Sequence, residues 1–145
     1  MTRINLVPPH ELTDQHLFAE FREIKMIPKS LARSVIAAKR KWGDQWEEKL
    51  LDSVPKEFTL GKGHVTFFYN KYAYLWYRYS QIRSELAKRG INFNRESALD
   101  SSYVYHILSK RFDTTYVPTN EALNLVRERI AQRISLKPDW YRYPK

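Results

Sequence analysis

The stretch Phe68–Gly90, FYNKYAYLWYRYSQIRSELAKRG, decides the class of fold. Phe68, Tyr72, Leu75, Tyr79, Ile82 and Leu86 recur at steps of three and four, the repeat of one helix face. The spacing predicts a core helix of about six turns beginning after Gly63. Lys88-Arg89-Gly90 then supplies a basic last turn and a glycine stop. Phe67, Phe68, Tyr69, Tyr72, Tyr74, Trp76, Tyr77 and Tyr79 crowd this stretch. A base-stacking surface is one explanation; a buried stripe edged by amphipathic tyrosines is the commoner one and is preferred for most of them.

Beyond Gly90, a polar link at Asn92 to Ser97 precedes Tyr103, Ile107 and Leu108, which suggest a further helical turn or two. Phe112 to Val117 reads as extended. Thr119 is a suitable cap for a last helix with apolar positions Leu123, Val126, Ile130 and Ile134. Opposite them Arg129, Arg133 and Lys137 make an i, i+4, i+8 basic stripe, either solvated surface or a nucleic-acid contact.

Toward the amino terminus, Pro8 and Pro9 separate an extended start from a helix capped by Thr13 or Asp14. That helix should stop or bend before Pro28. Ser30 is placed as the cap of a second helix through Ala38, toward whose end Arg33, Lys39, Arg40 and Lys41 cluster, either as a solvated complement to the helix dipole or, preferred in this charge context, as a phosphate-facing patch. Gly43 punctuates, and Asp44 with Glu47 has capping-box spacing before Trp46, Leu50 and Leu51, with Pro55 ending the helix. The expected architecture is mostly α: a single compact domain over residues 1–145. Its three longer helices carry Glu23, follow Gly63 and carry Arg129, with short accessory helices and an extended N-terminal segment.

The chain of 145 residues is the size of one domain with a real core. Its 25 Lys and Arg against 16 Asp and Glu leave a formal charge of +9, so the expected partner is a polyanion. No apolar run approaches the roughly 18–20 residues of a spanning helix, which favours nucleic acid over membrane. With no cysteine, disulfides and thiolate metal sites are excluded. The start lacks an apolar signal core, and an intracellular, cytoplasmic protein is expected. Only four glycines argue against a turn-rich all-β fold or a phosphate-cradling glycine loop.

Chemistry concentrates at the beginning, Thr2-Arg3-Ile4-Asn5-Leu6. Removal of Met1, usual before a residue as small as Thr, bares an α-amine whose ordinary pKa of about 7.7–8.0 leaves a useful fraction uncharged near neutrality. Along the following helix His16, Glu20 and Glu23 recur at i, i+4 and i+7 and share one face. Either a carboxylate sits over the amine, or these are the polar side of an ordinary amphipathic helix.

Thr2-Arg3-Ile4-Asn5-Leu6, then Glu11-Leu12, Asp14-Gln15-His16-Leu17, Ala19-Glu20 and Arg22-Glu23, resembles the amino-terminal signature of the pyrimidine-dimer DNA glycosylases with AP-lyase activity, the phage endonuclease V type. Leu60 to Tyr69 resembles that family's Gly-x-Gly-His segment, and Pro138-Asp139-Trp140-Tyr141-Arg142-Tyr143 resembles its Trp-Tyr-basic-Tyr ending. The stretch Trp42 to Lys56 has no clear counterpart.

The resemblance implies an enzyme acting on damaged double-stranded DNA as a monomer, without metal or organic cofactor. The Thr2 amine attacks the sugar of the 5′ nucleoside of a cyclobutane pyrimidine dimer and forms an imine, and Glu23 assists the β-elimination that cuts the strand. Arg3 and Arg22 match positions that hold phosphate or orient substrate, and a guanidinium there favours a free amine and an ionised Glu23. Arg129 and Arg133 match the family's phosphate contacts on the last helix. The basic residue that follows the catalytic Glu is met by Met26 without a gap, or by Lys29 after Pro28 with three residues inserted; Lys29 is preferred. His16 either orients the sugar or phosphate or is a satisfied polar residue. Trp140, Tyr141 and Tyr143 either pack the tail or flank the damaged base. Two other classes remain: a non-catalytic DNA- or RNA-binding module on the same basic helices, and a metal-dependent nuclease using His16, Glu20 and Glu23.

Overall fold

The computed structural model describes residues 3–100 and 108–144. Thr2, on which the expected amine chemistry rests, and Tyr103 and Ile107 lie outside the described residues. The fold is mostly helical, with α1 at Asp14–Glu23, α2 at Met26–Trp42, α3 at Trp46–Asp52, α4 at His64–Phe67, α5 at Tyr72–Lys88 and α6 at Asn120–Leu136. Among the described residues the only β pairing is an isolated bridge between Lys71 and Asp113.

The Thr13 hydroxyl caps α1 by accepting from the His16 N–H, 3.0 Å away. The helix stops after Glu23, as the approach to Pro28 implies, but α2 starts too early for a Ser30 cap. Pro28 is the third residue of α2 and runs buried within its first turn, where its missing N–H costs no intrahelical bond. Ser30 lies inside the helix and bonds the Tyr69 hydroxyl at 2.7 Å. The helix also runs past Ala38 to Trp42, because Val35 and Ala38 continue the stripe of Ile27 and Leu31 into the core. α3 forms where expected and buries Leu50, but a 3-10 turn at Gly43–Gln45 precedes it and no capping box is made.

The central stripe splits in two. Phe68 ends the short helix α4, and α5 begins only at Tyr72. Between them the Asn70 carbonyl turns outward to accept from the Thr114 N–H at 3.2 Å and hydroxyl at 2.6 Å, which ties the break to the segment after Phe112. Phe112 itself falls in a 3-10 turn, Lys110–Phe112. α5 then buries Tyr72, Leu75, Tyr79, Ile82 and Leu86, the predicted face, and adds Tyr74 and Arg78. It closes as expected at Gly90, with φ 72° and the Ile91 N–H on the Leu86 carbonyl at 3.1 Å.

α1 packs on α5, and α2 on α3. Leu17, Phe21 and Ile24 of the first helical segment meet Tyr79, Ile82 and Leu86 in one core, to which Val126 of α6 belongs. Phe21 stacks on Tyr79 at 5.6 Å. α6 is capped by the Thr119 hydroxyl on the Ala122 N–H at 3.1 Å, as the sequence predicts. A two-pronged Arg127–Glu11 pair, 2.9 Å on each prong, fixes it to the turn before α1.

Candidate active site

The N-terminal segment enters the core with every residue from Ile4 to Val7 buried. Burying an extended strand with no sheet beside it leaves backbone groups to satisfy, and side chains do so. The Ile4 N–H donates to His64 Nε2 at 2.9 Å, and the Asn5 N–H to Glu20 Oε1 at 3.0 Å. Arg78 donates to the Val7 carbonyl at 2.5 Å. Arg78 also grips Glu20, Nε to Oε2 at 2.6 Å and Nη2 to Oε1 at 3.0 Å, with both side chains out of solvent. Leu6 is pinned at φ 58° between these ties, a conformation that side-chain-bearing residues avoid.

Gly63 explains why His64 can reach the segment. It holds φ 95° as the residue before α4, and a Cβ there would stand 3.1 Å from the Pro55 ring. His64 Nδ1 donates to the Thr59 carbonyl at 2.8 Å, so Nε2 is left as the acceptor that the Ile4 N–H needs. Burial holds this imidazole below its ordinary pKa against the help of the Thr59 bond, and Arg3 lowers it further.

Glu20 therefore does not share the working face with Glu23 as the i, i+4, i+7 pattern suggested. Its oxygens are taken by Arg78 and the Asn5 N–H. His16 faces elsewhere too: its Nδ1 lies 2.7 Å from the Thr13 hydroxyl, and its ring stacks on Tyr141 at 4.7 Å and 3°. Among the described residues no group of three His, Cys, Asp or Glu could hold a metal ion.

Glu23 is the carboxylate left half-buried at the end of α1. It lines a cavity of about 290 Å³ with Ala19, Arg22 and Met26. Burial raises its carboxyl above the ordinary range and Glu20 adds to this, against the opposing charges of Arg3 and Arg22. The guanidiniums thus do not win as expected, because desolvation outweighs them. Arg3 is itself held below its ordinary pKa by burial and by the charges of Arg129 and Arg133, while Glu23 acts the other way. Arg3, Glu23, Arg129 and Arg133 thus interact around one site. The Arg3 side chain also donates to the Leu60 carbonyl.

Of the two residues weighed for the basic position after Glu23, Met26 lines the cavity and Lys29 stands exposed one turn along α2, where its charge and that of Arg22 act on Lys25. No three-residue bulge separates Glu23 from α2. The ion pairs among the described residues use Arg78, Arg89, Arg111 and Arg127. Lys29, Arg33 and Arg40, all on α2, take part in none, nor do Arg22, Arg129 or Arg133.

The carboxyl-terminal tail folds back onto α1. Gln15 donates to the Trp140 carbonyl at 2.6 Å and accepts from the Arg142 N–H at 2.9 Å, and the Asp14 N–H meets the Arg142 carbonyl at 2.7 Å. Tyr141 thereby packs the tail, whereas Trp140 stays 55% exposed. With Phe18, Ile91, Asn92 and Arg22, Trp140 lines a second cavity of about 500 Å³, which shares Ala19 and Arg22 with the Glu23 cavity.

Sequence reasoning missed His64 and Arg78, and it misassigned Glu20. The signal for Arg78 was present: Tyr74, Arg78 and Ile82 are spaced i, i+4, i+8, so a cation interrupts a core face and demands a buried carboxylate. For His64 the only signal was its place after a Gly-x-Gly.

The N-terminal segment, the half-buried Glu23 and arginines of α1 and α6 thus stand close enough to act on one another's charge, and Glu23 and Arg22 line one cavity. Residues 1–99 match the family described as pyrimidine dimer DNA glycosylase. That match covers most of the chain and includes the anchored segment, α1 with Glu23, and the Gly61–His64 turn, so the chain belongs to the pyrimidine dimer DNA glycosylase family.

Proposed function

We propose that this glycosylase excises the 5′ base of a cyclobutane pyrimidine dimer in duplex DNA and then cuts the strand, with Thr2 as nucleophile and Glu23 as its partner. The observation that supports it most is the lock on Ile4 and Asn5 beside a half-buried Glu23. Thr2 stands two residues before Ile4, so its α-carbon cannot stray more than about 7 Å from that anchor.

The neutral amine attacks C1′ and the C1′–N bond breaks, so the departing base leaves with the bonding pair and takes a proton. The sugar ring opens to a protonated imine on the Thr2 nitrogen. That imine is an electron sink which acidifies C2′, Glu23 accepts the C2′ proton, and the C3′–O bond breaks with its pair on the 3′ phosphate. Water then hydrolyses the imine and frees the amine. A carboxyl held above its ordinary range is the stronger base for that proton.

Arg3, Arg22, Arg129 and Arg133 hold phosphates around the lesion, with Lys29 on the flank. Trp140, Phe18 and Ile91 give apolar walls to the recess that shares Ala19 and Arg22 with the Glu23 cavity, where an unstacked base can lie, and the weakened stacking at a dimer lowers the energy of filling it. Comparing the chain that begins at Thr2 with one that keeps Met1, on a duplex holding one thymine dimer, tests the proposal. Strand cutting by the first and not the second is expected; equal cutting by both would contradict a Thr2 nucleophile. A mere DNA-binding module would cut with neither.

A further inference from the structure

Three groups beyond the site have no assigned work: the recess lined by Phe58, Phe67 and Tyr116, the desolvated Lys71 amine, and His64. The recess has nothing around it that selects an occupant. Lys71 is spent on the Phe67 carbonyl at 2.8 Å and the Asn70 side chain at 2.9 Å. His64 is different, because one of its two ring nitrogens holds the backbone that carries the nucleophile.

We infer that His64 is a positioning residue: its unprotonated Nε2 anchors the Ile4 N–H and so holds the Thr2 amine against Glu23, and protonation of that nitrogen releases the amine from its attack position. The inference rests on the proposed amine mechanism.

The geometry leaves no alternative hydrogen-bond arrangement. Nδ1 already donates to the Thr59 carbonyl at 2.8 Å, so an added proton must go to Nε2. Nε2–H would then point at the Ile4 N–H, two donors 2.9 Å apart with no acceptor between them. The ring cannot swing away freely, since Phe58 and Phe68 stand edge-on to it at 5.3 and 5.5 Å. The charged groups that face it are Arg3, from the segment itself, which opposes protonation, and Glu20 of α1, which favours it. Glu20 is in turn neutralised by Arg78 of α5. Burial opposes the charged ring as well, and it is the largest influence. The anchor is therefore intact at neutral pH and fails only in acid, below the ordinary histidine range.

The consequence for turnover is one further proton. An α-amine nucleophile already loses one decade of rate per pH unit below its own pKa, near 8. Protonation of Glu23, the base of the proposed elimination, adds a limb of its own, and once His64 also titrates the decline steepens by up to one further decade per unit. Misplacing a reacting group by about 1 Å costs roughly 100-fold, so an uncoupled anchor is expected to slow chemistry by roughly 10- to 100-fold.

The test uses single-turnover cutting of a duplex with one abasic site, from pH 5 to 8, with DNA affinity measured in parallel. His64→Leu removes the acceptor, and His64→Gln keeps an acceptor oxygen that cannot titrate. We expect His64→Leu to lose roughly 10- to 100-fold in rate with unchanged affinity. His64→Gln should recover most of the rate and fall less steeply in acid than the unmodified enzyme, by up to one decade per pH unit, because the limbs of the amine and of Glu23 are common to both. If His64→Leu does not fold, the pH slope of His64→Gln decides alone. A wild-type rate in His64→Leu, or the wild-type acid slope in His64→Gln, overturns the inference. If the unmodified enzyme itself gives no imine with the amine, the mechanism fails rather than the role of His64.

Discussion

Two sides of this domain treat charge in opposite ways. On the closed side, where α1 and α5 meet the N-terminal segment, cations are matched and dry: Arg78 with Glu20, and Arg89 with Asp14 and Glu85 at 3.0 and 2.8 Å. The open side is defined by charge alone: Arg22 of α1, Lys29, Arg33 and Arg40 of α2 and Arg129 and Arg133 of α6 take part in no ion pair among the described residues. Paired charges hold the chain in place, and the others are the ones the proposed function assigns to DNA phosphates. Glu23 sits at the boundary, one turn from Glu20 on the same helix, half-buried and with no ion pair among the described residues.

The comparison breaks most visibly at the closed side. Arg78→Leu leaves the Glu20 carboxylate buried without its partner, which should destabilise the domain by about 3–5 kcal/mol in denaturant unfolding. A loss within about 1 kcal/mol, the value for exposed pairs, would mean that the pair is not dry.

At the boundary, Glu23→Gln should reduce strand cutting by roughly 100-fold or more. Affinity for duplex DNA should survive, and the melting temperature should stay level or rise slightly, because burial disfavours the carboxylate. A variant that cuts normally, or that unfolds, would place Glu23 with the closed side.

On the open side, Arg129→Gln with Arg133→Gln should weaken DNA binding and shallow the dependence of log K on log salt by about 0.9 for each phosphate no longer neutralised. Arg33→Gln with Arg40→Gln should give the smaller change, since these side chains lie farther along α2 from the Glu23 cavity. An equal or greater loss there would move the main DNA track onto α2. Tyr141→Ala should matter least: removing its stack on His16 costs about 0.5–1.5 kcal/mol and frees the tail.

Local features were far more legible in the sequence than long-range ones. Helical periodicity located α5 and α6, Thr13 and Thr119 were recognisable caps, and the stripe of Arg129 and Arg133 fell where spacing put it. These are local signals, read within a few turns of chain. The Glu20–Arg78 pair spans 58 residues and the Ile4–His64 bond 60, and no local pattern pairs such positions. The same limit explains the break in the central stripe, since Asn70 leaves the helix to satisfy Thr114. It also explains Glu23, where proximity to arginines suggested an easily ionised group and burial reversed the direction.

The central claim is that the lock on Ile4 and Asn5 serves an amine at residue 2. Borohydride reduction on a duplex with one abasic site, followed by peptide mapping of the adduct, tests it directly. Lys71 is the natural competitor, because burial lowers its pKa to about 8, into the range of an α-amine. We predict a single reduced adduct on the nitrogen of Thr2; an adduct on Lys71, or strand cutting that leaves none, would contradict the account.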